Sequence, residues 1–281
     1  MEELNFTYKL FGGEIQVVIY DADKNLVEDV MNEFYQEALR LQKIFNFFDD
    51  RSELSILNQK RELVVSQDLL KVIKKGIKFS ELTNGKYDIS LGRKFLARKK
   101  EGKEISASCS YKDIEIEGDK ITLKNKDVMI DLGSIAKGYI TDRLADFLKN
   151  KGVKEFLIDS RGDIIVSGSY EHLIGIQNPR DKKEVICNIK VKNKGIATSG
   201  DYKQYYKSYD NSHIINANNS ASITVLSEKL EDADVYATAL FVANSREKDK
   251  IINLDKNVKV FVIDKNLKAE KYNNFEEVMA K

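Results

Sequence analysis

The sequence predicts an α+β fold on three observations. Short runs alternate apolar and polar residues, as half-buried strands do. Other segments repeat apolar residues at three- and four-residue steps, as helices do. The two kinds do not follow the βαβ rhythm of a parallel sheet. With 281 residues the chain can bury a large core. No linker, repeat or low-complexity tract interrupts it, so we expect one domain over 1–281, or two lobes with no assignable boundary.

Each element has its own warrant. Residues 4–11 and 14–20 alternate on either side of Gly12-Gly13 and predict a hairpin. From 25 to 45 the apolar positions Leu26, Val30, Phe34, Ala38, Leu41 and Phe45 mark an amphipathic helix. Residues 54–58 read as a short helical turn. Ser66 caps a second helix that runs to Leu82 and stops at Thr83-Asn84-Gly85. Short strands are expected within 101–131 around Gly118-Asp119, including a strand end at Val128-Met129-Ile130, and a helix over 134–149. Short β-like runs follow at 156–159, 163–166, 173–177, 185–191 and 195–198, then a helix over 233–243. One more helix, a strand at 258–263 and an amphipathic terminal segment close the chain.

Composition narrows the partners. Charge is balanced, 46 basic against 45 acidic residues, which gives no electrostatic case for nucleic acid or an anionic membrane. Cys109 and Cys187 form neither a disulfide framework nor a zinc signature. No run approaches the ~18 apolar residues of a membrane span, and the N-terminus carries no signal or lipobox pattern. The expectation is a cytoplasmic protein, or an extracytoplasmic one whose leader has been removed.

Several segments can carry chemistry. Residues 131–143, Asp-Leu-Gly-Ser-Ile-Ala-Lys-Gly-Tyr-Ile-Thr-Asp-Arg, run from a glycine turn into a helix. Unpaired N–H groups and the positive helix end suit phosphate oxygens, and Lys137 can add a point charge. The alternative is an ordinary turn that binds nothing. In the 231–241 segment Asp234 and Thr238 are i and i+4, on one helix face. With nearby carbonyls they would make the all-oxygen site Mg²⁺ prefers; the alternative is a helix cap and a back-bonded threonine. Thr198 and Ser199 read as part of a hydroxyl-rich turn suited to phosphate or ring heteroatoms, or as a plain turn. His213, one of two histidines, can act as a base near neutral pH, or simply pack. Asn58 can read the edge of an adenine or flavin ring, or end a helix. Residues 83–90 offer a turn, an aromatic face and the carboxylate of Asp88.

In order along the chain these segments resemble one family, the FAD:protein FMN transferases or ApbE-like flavin transferases, from about residue 12 to 242. Ser52–Asn58 is similar to S-E-[LI]-S-x-L-N, Gly85–Asp88 to G-x-[FY]-D, and 131–142 to D-L-G-[GS]-I-A-K-G-Y-x-x-D. Residues 174–179 resemble G-I-[QR]-[DN]-P, 197–202 match A-T-S-G-D-Y, and 233–239 match A-D-[AV]-x-A-T-A.

The resemblance implies antiparallel sheets in a T-fold-like architecture with an FAD cleft. It implies Mg²⁺-dependent transfer of FMN from FAD to a Thr or Ser hydroxyl of a target protein, with release of AMP. Asp234, Thr238 and the Ala136 carbonyl would hold Mg²⁺. Gly133, Ser134 and Lys137 would hold the nucleotide, and Asn58, Asp88, Thr198 and Ser199 would contact FAD. His213 would activate the hydroxyl, so that His213, Asp234 and Lys137 form the catalytic set. The acceptor would be a protein carrying a Ser/Thr-Gly-Ala-Thr type motif; this chain has no such run and is not expected to flavinylate itself.

Departures from the family's pattern also carry expectations. After its histidine the family has D-P-x-T-G, whereas this chain reads Ile-Ile-Asn-Ala-Asn over 214–218. Arg161 stands where the family commonly has glycine, and would narrow the cleft or pair with phosphate. Ser90 replaces a threonine. An FAD pyrophosphatase and a non-catalytic flavin binder are therefore the rival readings.

Overall fold

A computed structural model describes residues 3–202, 214 and 219–280. The first hairpin is β1 (Glu3–Leu10) and β2 (Gly13–Tyr20), with Leu10 paired to Gly13. Its two-residue turn, Phe11-Gly12, has φ of 52° and 74°. Two positive values match the right-handed twist of the strands they join.

Helix α1 (Lys24–Phe45) is capped by Asp23, which accepts from the Leu26 N–H at 3.0 Å. It buries the predicted stripe except for Leu26, which is 54 % exposed while Val27 turns inward. The turn expected at 54–58 is a two-turn helix, α2 (Glu53–Lys60), followed by β3 (Glu62–Val64). Ser66 caps α3 (Gln67–Leu82) as expected.

Helix α4 (Gly92–Glu101) was not foreseen. Its sequence GRKFLARKKE shows no stripe, and Gly92 alone is buried, so there is no periodic signal to detect. Strands β4 (Ile114–Glu117) and β5 (Lys120–Leu123) turn about Gly118-Asp119 and join β3 in a small antiparallel sheet ordered β3-β5-β4.

The strand end expected at 128–130 is instead a lone extended segment. It makes an isolated parallel bridge to Leu91 and is held by the chain around Ser90. After it come α5 (Ala136–Asn150), β6 (Phe156–Ser160), β7 (Asp163–Ser167), β8 (His172–Gln177), β9 (Val185–Val191) and β10 (Gly195–Gly200). Then follow β11 (Ser220–Ser227), α6 (Leu230–Val242), α7 (Ser245–Leu254), β12 (Lys259–Asp264) and β13 (Ala269–Tyr272). The terminal segment expected to be amphipathic is β13 and a short 3-10 turn, Phe275–Val278.

Eight strands form the main sheet, ordered β1-β2-β6-β7-β10-β11-β12-β13, every neighbouring pair antiparallel. The helices contribute most of the larger apolar cluster against it, with Phe34, Leu41, Ile73, Leu144 and Phe241 fully buried. A smaller cluster joins Val166 and Leu226 of the sheet to Ile176 and Ile189 of the β8–β9 hairpin and to Phe275. Strand β11, also unforeseen, is buried along its whole length. A strand covered on both faces has no alternation to reveal it. Among the described residues no helix is long and apolar enough to cross a membrane.

Candidate active site

A cavity of about 610 Å³ opens beside one end of the main sheet. Its walls come from the end of α1, residues 86–91, α4, the start of α5, β10, α6 and the turns of the β1–β2 and β6–β7 hairpins. Asp88, Gly133, Ser134, Ala136, Lys137, Thr198, Ser199, Asp234 and Thr238 all line it. Asn58 does not.

The junction of α5 and α6 sets the charged wall. Gly138 faces the start of α6 so closely that a Cβ there would lie 2.5 Å from the Leu230 carbonyl and 2.7 Å from Glu231 Cα. Only glycine permits this approach. It brings the Gly138 N–H to Asp234 Oδ2 at 3.1 Å. Helix α6 has no side-chain cap of its own. Asp142, the last acid of the 131–142 motif, supplies it from α5 by accepting from the Leu230 and Glu231 N–H groups at 2.9 and 2.8 Å. Asp234 is therefore neither a cap nor free: it is a buried carboxylate held by the neighbouring helix.

Lys137 lies between two carboxylates. It is hydrogen-bonded to Asp163 and sits 3.6 Å from Asp234 Oδ1. Burial works against its charge, but the attraction of Asp163 and Asp234 outweighs this and raises its pKa above the ordinary lysine value. Asp163 was not singled out in the sequence. It is 1 % exposed at the start of β7, and its other oxygen accepts from the Thr198 N–H at 3.4 Å. An acid directly after a hairpin glycine, entering a strand with a buried side, was the available signal.

The hydroxyls lie in order along β10. Thr198 and Ser199 are strand residues, paired across to Thr224 and Ile223, rather than part of a turn. The Thr198 hydroxyl meets that of Thr224 at 2.9 Å, and Ser199 Oγ meets Thr238 Oγ1 at 2.8 Å. Helix α6 thus presents Asp234 and Thr238 one turn apart to the same cavity.

The glycine turn before α5 differs from expectation. Several of the amides expected to face phosphate are already engaged: Gly133 N–H donates to Asp131 Oδ1 at 2.9 Å, Ala136 N–H to the Leu132 carbonyl, and Gly138 N–H to Asp234. Burial raises the Asp131 pKa above the usual carboxylate range. Ser134 Oγ donates to the phenolic oxygen of the buried Tyr87 at 3.0 Å. Asp88 accepts from the Ser90 and Tyr111 N–H groups at 2.8 and 3.0 Å, and burial raises its pKa too.

Asn58 differs most from the sequence reading. Its carboxamide donates to the Ile130 carbonyl at 2.9 Å and accepts from the Ile130 N–H at 2.7 Å. Both faces of the amide are spent on the backbone of the segment leading into Asp131, so Asn58 clamps the site from behind. Arg61 assists, donating to the Val128 carbonyl at 2.6 Å. Another pair missed in the sequence, Arg180 and Asp201, is bidentate at 2.7 and 2.9 Å and ties 174–180 to the end of β10. His213 and residues 215–218 lie outside the described residues.

Among the described residues no three His, Cys, Asp or Glu side chains converge as a metal cage. The donor set at Asp234, Thr238 and Ser199 is one carboxylate with two hydroxyls. That suits a hard cation completed by substrate phosphates and water, the habit of Mg²⁺.

Comparison with known proteins places the chain in a family. The ApbE family model matches residues 11–262. The FAD:protein FMN transferase of Vibrio cholerae is 31 % identical over 223 residues, 68 % of this chain and 66 % of that one. The enzyme of the same name from Buchnera aphidicola is 29 % identical over 244 residues, 76 % of this chain and 72 % of that one. Among solved structures, the flavin transferase ApbE of Vibrio cholerae superposes with a TM-score of 0.81 at 23 % identity, covering 99 % of both chains. The ApbE protein of Thermotoga maritima superposes at 0.86 with 22 % identity, covering both chains fully. The α+β fold is thus that of the ApbE structures, and with a family model matched over most of its length this chain belongs to the ApbE family.

Proposed function

We propose that the chain, acting as one unit over 1–281, transfers FMN from FAD to a Thr or Ser hydroxyl of a target protein and releases AMP. The observation that carries this is the convergence of Asp234, Thr238, Ser199 and the paired Lys137 on one cavity. The cavity falls within the volume range of small-molecule sites, and the relatives that match the chain are named FAD:protein FMN transferases.

In the proposed reaction the acceptor hydroxyl oxygen attacks the FMN phosphorus, the bridging P–O bond breaks, and its oxygen leaves with AMP. The hydroxyl proton passes to a base, for which His213 is the candidate. Such a transfer is mostly positioning and charge neutralisation. Asp234, Thr238 and the Ala136 carbonyl would hold Mg²⁺, which when bound neutralises diphosphate charge. Lys137, held by Asp163, keeps a fixed positive charge at the same wall. Thr198 and Ser199, with Gly133 and Ser134 opposite and Asp88 beside them, would orient FAD.

The test is mass spectrometry of an acceptor protein bearing a Ser/Thr-Gly-Ala-Thr type motif, incubated with this protein, FAD and Mg²⁺. The expected result is one FMN added to the threonine, AMP formed in equal amount, and neither product in EDTA. Asp234→Ala should lose at least a hundredfold in rate. AMP with an unlabelled acceptor would make it a pyrophosphatase, and bound FAD without either product a flavin carrier.

A further inference from the structure

Arg161 occupies an unusual place. Register pairs Ser160 with Asp163, so Arg161-Gly162 is a two-residue turn with φ of 63° and 89°. The first of these positions strongly favours glycine or asparagine. The turn stands beside the Phe11-Gly12 turn, because β2 pairs with β6, and Arg161 Nη1 donates to the Phe11 carbonyl at 3.3 Å. Gly13 makes room for it: a Cβ there would lie 2.6 Å from Arg161 Cδ. A long side chain is thus kept in a backbone state it disfavours, over a glycine that accommodates it, at the wall of the cavity.

Its charge is not spent elsewhere. Among the described residues no carboxylate pairs with it, and its guanidinium repels the ammonium groups of Lys99 and Lys137. Lys137 is neutralised by Asp163 and Asp234. Lys99, also on the cavity wall, lies over the rings of Phe48 and Phe95 at 4.8 and 5.3 Å. Lys99 is also drawn to the Asp131 carboxylate on the same wall, whereas Arg161 has no carboxylate partner among the described residues, and its charge favours an anion in the cavity.

Resting on the flavin-transferase reading, we infer that Arg161, with Lys99, forms an anion subsite that grips a phosphate of the dinucleotide. A guanidinium suits this because it offers several donors in a fixed fork, and one is already committed to Phe11. The phosphate is that of the departing AMP or that of the retained FMN, and the two are separable by experiment.

The variants are Arg161→Gly, which suits the positive φ, and Arg161→Lys, which keeps charge without the fork. Binding of FAD, FMN, AMP and phosphate-free riboflavin would be followed by titration calorimetry at two salt concentrations. The inference expects Arg161→Gly to melt no lower than wild type, bind FAD about tenfold more weakly, and lose part of the salt dependence. Riboflavin affinity stays unchanged, and Arg161→Lys falls between. A loss confined to AMP assigns the subsite to the leaving group, and one confined to FMN assigns it to the transferred group. Equal weakening of riboflavin and FAD, or unchanged AMP and FMN binding, overturns the inference. Turnover then still stands as a separate question: FMN transfer by wild type with unaltered nucleotide affinities in Arg161→Gly would refute the subsite alone. Weakened AMP or FMN binding without acceptor labelling would refute the transferase reading alone.

Discussion

Asp142 shows how one carboxylate can serve a site it does not touch. It caps the helix that carries Asp234 and Thr238, from a position one helix away. Burial pushes its pKa up to about 7, against the two N–H groups that favour the charged form. This lies above the ~3.9 of an unfolded aspartate, so between those values the folded chain holds a proton that the unfolded chain has lost. From this group, stability falls as pH climbs from ~4 to ~7. Asp142→Ala and Asp142→Asn should both show a flatter dependence of Tm on pH over that window. The alanine variant should also lose about 2 kcal/mol by orphaning two helix N–H groups, measured by urea unfolding. Parallel pH profiles would show that Asp142 does not titrate there. Asn58→Ala should cost about 2–3 kcal/mol, since the Ile130 N–H and carbonyl both lose a partner. It should also raise the KM for FAD through movement of Asp131. An unshifted urea midpoint would show that Asn58 does not clamp this segment.

At the scale of elements, the approach of α5 to α6 is the tightest requirement. A methyl at Gly138 meets the backbone of Leu230 and Glu231, which cannot swing away as a side chain can. Gly138→Ala should cost about 1–3 kcal/mol by overpacking and lower turnover further by shifting Asp234 from its N–H partner. Full activity in that variant would mean that the helices can separate without harm. The same scale explains what the sequence revealed. The helix of Asp234 and Thr238 was legible because i and i+4 share a face whatever the tertiary fold. Helices α1 and α3 were legible from stripes and caps. Helix α4 and strand β11 were hidden for opposite reasons, one with a single fully buried residue and the other buried along its whole length. Asn58 was misread because its partner lies at Ile130, and Asp163 was passed over because only the sheet brings it to Lys137.

For the whole molecule, the cavity joins parts of the chain from Phe11 to Val242. A ligand that fills it binds only the folded state and should stabilise all of it together. FAD at a hundred times its Kd would add about 2.7 kcal/mol, a rise of several degrees in Tm at this size, and Mg²⁺ should increase it. A thermal shift confined to a partial transition would show that the parts unfold separately. The family motifs made the site's residues recognisable, but their division of labour emerges only from packing: Asp142 caps, Gly138 spaces, Asn58 clamps.

The order of strands in the main sheet has a consequence for synthesis. From β6 onward the sheet is laid down mostly as a meander, interrupted by the β8–β9 hairpin, each new strand joining the last one placed. Strand β2 is the exception, because its partner β6 does not emerge until Ile19 has waited for Phe156. A nascent chain on the ribosome therefore carries the first hairpin with the β2 edge still unpaired through the making of five helices. An open edge is a template for mispairing, so this hairpin is where a slowed ribosome or a missing chaperone would first send newly made chains into aggregates.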